Sequence, residues 1–109
     1  MPTTYKVLGQ SYPSAATDTN LYTVPSATST VVSTIHCFNS GDNNSYIDIA
    51  VRPAGAVIEN KNYLLKNAQL AAGESLSLTI GVTLATTDVI TVRTSLATVA
   101  FQAFGSEIS

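Results

Sequence analysis

Cysteine, tryptophan, histidine and charged side chains are all scarce in this sequence of 109 residues. A single cysteine cannot form an internal disulfide, which is typical of a protein made in a reducing cytoplasm. Charged residues make up 11% of the chain, less than half of the usual share of about 25%. The five basic residues stand singly, no apolar run could span a bilayer, and Met1–Lys6 does not resemble a secretory signal. We therefore expect neither nucleic acid nor a membrane as partner.

The residues that most often carry catalysis cannot be brought together from this sequence. The only histidine, His36, precedes the only cysteine, Cys37, and neighbours on a strand point to opposite faces. We expect Cys37 in the core, and His36 exposed or at a subunit contact. No serine-hydrolase motif is present, and the polar loop Gly41–Ser45 near Asp48 lacks the pattern of a calcium-binding loop. The sequence predicts no catalytic residue, no metal site and no cofactor.

The chain nevertheless has the composition of a folded domain. Hydrophobic residues make up 45% of it, and 12 serines and 15 threonines supply most of the polar surface. A disordered chain would be poor in apolar residues and rich in charge. The length suits one core, so we expect one domain over residues 1–109. A formal net charge of −2 on a hydroxyl-rich surface favours association, as in a subunit packed against neighbours.

Alternation of apolar and polar residues is the strongest pattern, and it predicts half-buried strands. In Tyr46–Arg52, the apolar residues Ile47, Ile49 and Val51 point to one face. The other face carries Tyr46, Asp48, Ala50 and Arg52. Ser75–Leu84 alternates in the same way, with its apolar face formed by Leu76, Leu78, Ile80, Val82 and Leu84.

Weaker patterns add further strands to these two. They lie at Thr28–Phe38, Thr87–Thr94 and Leu96–Phe104, with shorter candidates at Thr4–Leu8, Asn20–Val24 and Tyr63–Asn67. In the first of them, Val31, Ile35 and Cys37 are expected on one face. Turn-forming residues separate the strands, and no segment has a sustained helical period. We predict an all-β fold, a single β-sandwich of about eight strands with jelly-roll or immunoglobulin-like strand order.

Aromatic residues are the candidates for an interaction site. Tyr5, Tyr22, Tyr46 and Phe104 are candidate interface residues, since aromatic side chains anchor contacts between proteins or stack on sugars. Arg52 shares the outward face of its predicted strand with Tyr46, where it could join an intersubunit contact or pair with Asp48. The terminal segments, Met1–Leu8 and Phe101–Ser109, could add strands to a neighbour's edge.

Several segments resemble small virion structural proteins of tailed bacteriophages, notably phages of cyanobacteria. They are Leu21–Pro25, Val31–Ile35, Ile47–Gly55, Leu70–Leu76, Thr87–Val92 and Phe101–Ile108. The resemblance implies a non-enzymatic virion component, assembled in the host cytoplasm, whose partners are copies of itself in a symmetric oligomer and other virion proteins. A capsid decoration protein is the first interpretation, and a neck, tail, baseplate or fibre-attachment adaptor is the alternative.

A carbohydrate-binding module for host recognition is the interpretation from another class. It predicts exposed tyrosines clustered with Asn and Asp side chains, and a glycan as partner. The lack of tryptophan counts against it, because sugar-stacking sites favour large flat rings.

Overall fold

The computed structural model describes residues 3–109, which form a β-sandwich. Its nine strands are β1 (Thr3–Ser11), β2 (Thr19–Thr23), β3 (Ser29–Asn39), β4 (Ser45–Arg52), β5 (Tyr63–Leu70), β6 (Ser75–Leu78), β7 (Val82–Leu84), β8 (Val89–Thr94) and β9 (Val99–Ile108). Two single 3₁₀ turns lie between β4 and β5, at Pro53–Gly55 and Asn60–Asn62. No helix within residues 3–109 has the length and hydrophobicity needed to cross a membrane. The predicted all-β sandwich is confirmed.

The strand order decides between the two predicted topologies. One sheet has the order β1-β9-β3-β6, with β7 also pairing with β3, and the other has the order β2-β8-β4-β5. All pairs are antiparallel. When β6 and β7 are taken as one interrupted strand, eight strands cross between the sheets as two Greek keys, which is the jelly roll. An immunoglobulin-like domain would instead place its first two strands in one sheet.

The inner faces of both sheets form a single core. Ile35, Cys37 and Phe101 come from the five-stranded sheet, and each is at most 1% exposed. Ile47 and Ile49 of β4 are fully buried, whereas Tyr46, the second residue of the same strand, is half-exposed. The predicted alternation of Tyr46–Arg52 is therefore confirmed for Ile47 and Ile49, whereas Val51 is only partly buried and Ala50, predicted on the other face, is 1% exposed. Cys37 is buried, and His36 lies on the opposite face, as predicted.

The prediction of one continuous strand over Ser75–Leu84 is wrong. The chain breaks after Leu78 and resumes at Val82, because Gly81 adopts a left-handed conformation with φ +63°. Residues in that conformation cannot continue a strand. The break turns Ile80 out of the core, where the alternation had placed it, and leaves it 56% exposed.

Val31 also lies on the face opposite to the one predicted. The pairing of β3 with β9 shifts between Val32 and Thr34, so Ser33 is an extra residue in β3. A bulge reverses the facing of every residue beyond it. Val31 consequently points outward and Ile35 points inward, although both are apolar and an even number of residues apart.

Candidate functional site

The outer face of the five-stranded sheet carries the largest group of exposed apolar side chains. Register aligns Tyr5, Ser106 and Val31 in one row across β1, β9 and β3. Val7, Phe104 and Thr34 form a second row across the same strands. Tyr5 is 84% exposed, while Val7 is about half-exposed. Together with Phe38 further along β3, these side chains form what we call the apolar face, defined by Tyr5, Val7, Val31, Phe38 and Phe104.

Two bulges shape the centre of this face. An extra residue in β1, Leu8, and an extra residue in β3, Ser33, flank Phe104 on either side. Next to Phe104, a methyl group at Gly105 would overlap the carbonyl oxygen of Val31, so only glycine allows the strands to approach this closely here. The result is an open cleft of about 500 Å³, lined by Tyr5, Lys6, Val31, Ser33, Phe104, Gly105 and Ser106.

A polar row crosses the sheet beyond the cleft. Gln10 donates a hydrogen bond to Gln102 at 3.0 Å, and Nδ1 of His36 lies 2.8 Å from the hydroxyl of Ser77. A second open cleft, of about 310 Å³, follows at Gln10–Tyr12 and Ala100–Gln102. Each pair makes one hydrogen bond, and the amide and imidazole groups that remain face outward, where they can bond to water or to another protein.

Charge is almost absent from the strands of this sheet. The five strands contain two charged side chains, Lys6 and Glu107, and these form an ion pair at 3.2 Å. Glu107 also accepts a hydrogen bond from the hydroxyl of Tyr22 in β2, at 2.5 Å. This hydrogen bond, followed by the pairing with Lys6, holds the pKa of the Glu107 carboxyl below its ordinary value.

The outer face of the four-stranded sheet differs in character. Its strands carry Asp48, Arg52, Lys66 and Arg93. Arg93 pairs with Asp18 at 3.3 Å, and the ammonium of Lys66 lies 4.2 Å from the centre of the Tyr63 ring. The two sides of the sandwich thus present different surfaces, one charged and one nearly free of charge.

The structure brings two of the five predicted interface residues together. Tyr5 and Phe104 both line the 500 Å³ cleft on the apolar face. Tyr46 is half-exposed on the opposite sheet and contacts neither of them. Sequence reasoning missed Val7 and Phe38. Alternation along β1 was the signal that could have grouped Val7 with Tyr5, and alternation along β3 could have placed Phe38 on the face opposite to Cys37.

Tyr22 and Arg52, two of the predicted interface residues, make their hydrogen bonds within the domain. Tyr22 is buried, and its hydroxyl contacts Thr30 and Glu107 between the two sheets. Arg52 does not pair with Asp48. Its guanidinium donates to the carbonyl oxygens of Gly55 and Ala56, at 2.8 Å and 2.7 Å, and so fixes the turn after β4.

Asn39, the last residue of β3, holds the polar loop that follows it. Asn39 is fully buried, and its amide donates to the carbonyls of Asn43 and Leu70 while its oxygen accepts from Gly41 and Thr98.

Among residues 3–109 no group of three His, Cys, Asp or Glu side chains is placed to hold a metal ion. Burial raises the pKa of the Cys37 thiol to about 12, so it is not an activated nucleophile.

The tyrosines do not form one platform of the kind that a sugar-binding site needs. Tyr5 lies near the start of β1 and Tyr12 directly follows its last residue, which places them about 20 Å apart at the usual rise per residue. Tyr46 is on the other sheet, Tyr22 is buried and Tyr63 lies under Lys66.

No protein-family model matches the sequence, and no curated protein matches it either. Among solved structures, the chain is similar to part of a structure of infectious bursal disease virus, Gx strain, with 11% identity over 97% of this chain and a TM-score of 0.47. A structure of the Gt strain aligns over 96% of this chain with 13% identity and a TM-score of 0.45. The aligned regions cover 30% and 31% of those viral chains.

Proposed function

We propose that this chain is a non-enzymatic structural subunit of a virion, which packs through the apolar face against copies of itself or against other virion proteins. The observation that carries the proposal is the contrast between the two outer surfaces of the sandwich. The five-stranded sheet exposes aromatic and aliphatic side chains, and its two charged groups neutralise each other.

Interfaces between proteins favour such a surface. Their centres are depleted in charged residues and enriched in aromatic ones, because an unpaired charge loses its hydration when it is covered. Burying Tyr5, Val7 and Val31 removes apolar surface from water at a gain of about 25 cal/mol per Å² before the costs of association. The charged outer face of the four-stranded sheet is suited to remain in water.

Within the virion, capsid decoration is the role we propose first. The resemblance of the sequence to small phage virion proteins supports this role, and the jelly roll is a fold that capsid domains use. Since folds do not fix functions, the proposal depends on the apolar face and not on the fold.

Quantitative mass spectrometry of purified particles tests the proposal. The copy number of this chain is measured against the major capsid protein. Hundreds of copies are expected for a decoration protein, whereas a number near six, twelve or eighteen would replace decoration by a neck, baseplate or fibre adaptor. Absence from the particles would overturn the virion role.

A matched pair of variants tests the face itself. Val31 on the apolar face and Leu64 on the outer face of the four-stranded sheet are both strand residues, each 36% exposed. We expect Val31→Glu to lower incorporation into particles by at least tenfold and Leu64→Glu to leave it unchanged. Equal incorporation of both variants, each folded by circular dichroism, would contradict packing through the apolar face.

A further inference from the structure

The sandwich has four sheet edges, and three of them are protected against pairing with another chain. β6 and β7 are only four and three residues long and are separated by the break at Gly81. β5 contains two register shifts and a left-handed residue, Asn67, whose amide is bonded to Asp48. Short strands, bulges and irregular backbone all prevent edge-to-edge association.

The edge of β2 is also protected. This strand has five residues and a register shift between Asn20 and Tyr22. Gly9 of β1 packs so closely on the carbonyl of Leu21 that even a methyl group at Gly9 would overlap it. A second chain would therefore have to displace β1 in order to pair along β2.

The edge of β1 is different. β1 has nine residues, and within residues 3–109 β9 is the one strand that is hydrogen-bonded to it, since β2 packs on it only near Gly9. Its first five residues, Thr3–Val7, pair with β9 in regular register, and the bulge at Leu8 lies beyond them. These five residues are all exposed and include the β-branched and aromatic types that favour strands.

We propose that Thr3–Val7 of β1 pairs antiparallel with the same segment of a second copy, joining the two five-stranded sheets into one. An antiparallel pair of identical strands is self-complementary and closes under a two-fold axis. The charge of Lys6 is compensated by Glu107 of its own chain, so the two edges meet without strong repulsion. The pairing also makes the apolar faces of the two copies continuous, and it does not depend on where the protein is located.

The register of the pair follows from the side chains. Residues directly opposite each other have side chains on the same face of the sheet. The two-fold axis must therefore lie between the two copies of one residue, so that this residue is opposite itself. An axis at Lys6 would set two ammonium groups directly opposite each other, which is unfavourable. An axis at Tyr5 sets the two exposed rings side by side, with Thr4 opposite Lys6 and Thr3 opposite Val7 of the second copy. Since Tyr5 is the midpoint of Thr3–Val7, this axis is also the one that pairs all five residues of the segment with the same five residues of the second copy, and we assign the axis to Tyr5.

Disulfide trapping of the full chain tests this register. Opposed residues have Cα atoms about 4.5–5.5 Å apart, within the range that a disulfide spans. Tyr5→Cys should therefore form a covalent dimer under mild oxidation. The native Cys37 is fully buried and should not contribute. Thr3→Cys is the matched control, because its two sulfurs would be separated by about 14 Å along the strands.

The two single variants and their mixtures give distinct results. We expect Tyr5→Cys to cross-link at least tenfold faster than Thr3→Cys, and a mixture of Thr3→Cys with Val7→Cys to yield the heterodimer. Sedimentation should show that Tyr5→Lys is monomeric at a protein concentration at which the unmodified protein is a dimer. Equal cross-linking of Tyr5→Cys and Thr3→Cys, or a monomeric unmodified protein, would overturn the pairing. Absence of the chain from virions would overturn the proposed function and leave the pairing intact.

Discussion

The hydroxyl of Tyr22 and the carboxylate of Glu107 join the two sheets of the sandwich by a hydrogen bond of 2.5 Å. Tyr22 belongs to β2 of one sheet and Glu107 to β9 of the other, 85 positions apart in the sequence. Lys6 of β1 bonds to the second oxygen of the same carboxylate. One acidic side chain thus links the last strand to the first two.

This linkage makes the free energy of unfolding depend on pH in the acidic range. The pKa of Glu107 is lowered in the folded protein, first by the hydrogen bond from Tyr22 and then by Lys6. A lowered carboxyl pKa stabilises the fold above the ordinary value of 4.5, and this contribution is lost as the pH falls below it. We expect the unfolding midpoint in urea to drop between about pH 5 and pH 3. Glu107→Gln should show a smaller drop over the same range, and an unchanged drop would contradict the assignment.

The hydroxyl of Tyr22 makes the free energy of unfolding depend on pH in the opposite sense, in the alkaline range. Burial, and then the hydrogen bond to Glu107, raise the pKa of Tyr22 from 10.0 to about 12. The unfolded chain therefore ionises first, and stability should fall as the pH rises from 10 to 12. Tyr22→Phe should lose this dependence, and at neutral pH it should cost about 1.5–3 kcal/mol, since it removes a hydrogen bond to a charged group. Tyr46→Phe, at an exposed position, is the control.

Phe101 is the largest of the fully buried side chains, and it packs at the centre of the core. We expect Phe101→Ala to lower the free energy of unfolding by about 3–5 kcal/mol, because it removes apolar contacts and leaves a cavity. Chemical denaturation measures the loss. Phe38→Ala, on the outer face of the neighbouring strand, should cost clearly less, and comparable losses for the two variants would contradict the inner and outer assignment.

Asn39 makes four hydrogen bonds from a fully buried site. Asn39→Ala leaves the buried carbonyl of Leu70 and the part-buried amide of Gly41 without these partners, so we expect a loss of at least about 2 kcal/mol in the free energy of unfolding. Asn44→Ala in the same turn is the control, since Asn44 makes one long bond of 3.4 Å to Ala72 at the surface. A loss within about 0.5 kcal/mol is expected for it.

The sequence correctly predicted the strands whose alternation is undisturbed. In β4 the apolar residues at every second position fall into the core, and Cys37 and His36 fall on opposite faces of β3. Alternation fails wherever the backbone departs from a regular strand. The bulge at Ser33 turned Val31 outward, and the left-handed Gly81 did the same for Ile80. Neither irregularity has a local signature strong enough to outweigh the pattern of its neighbours.

The sequence predicted only some of the residues of the candidate site. Tyr5 and Phe104 were identified as interface candidates, and they do share a cleft, but their proximity depends on the pairing of β1 with β9. Tyr22 looked like an equally good candidate. Its burial depends on Glu107 and Thr30, which reach it from other strands.

The sequence by itself determined the all-β class and the near absence of charge, because composition and period-two alternation act locally along the chain. Tertiary structure decided the jelly-roll strand order, the bulges around Phe104, the pairing of Lys6 with Glu107 and the one regular free edge at β1. These features depend on contacts between residues far apart in the chain, where the register of one strand against another selects which side chains meet.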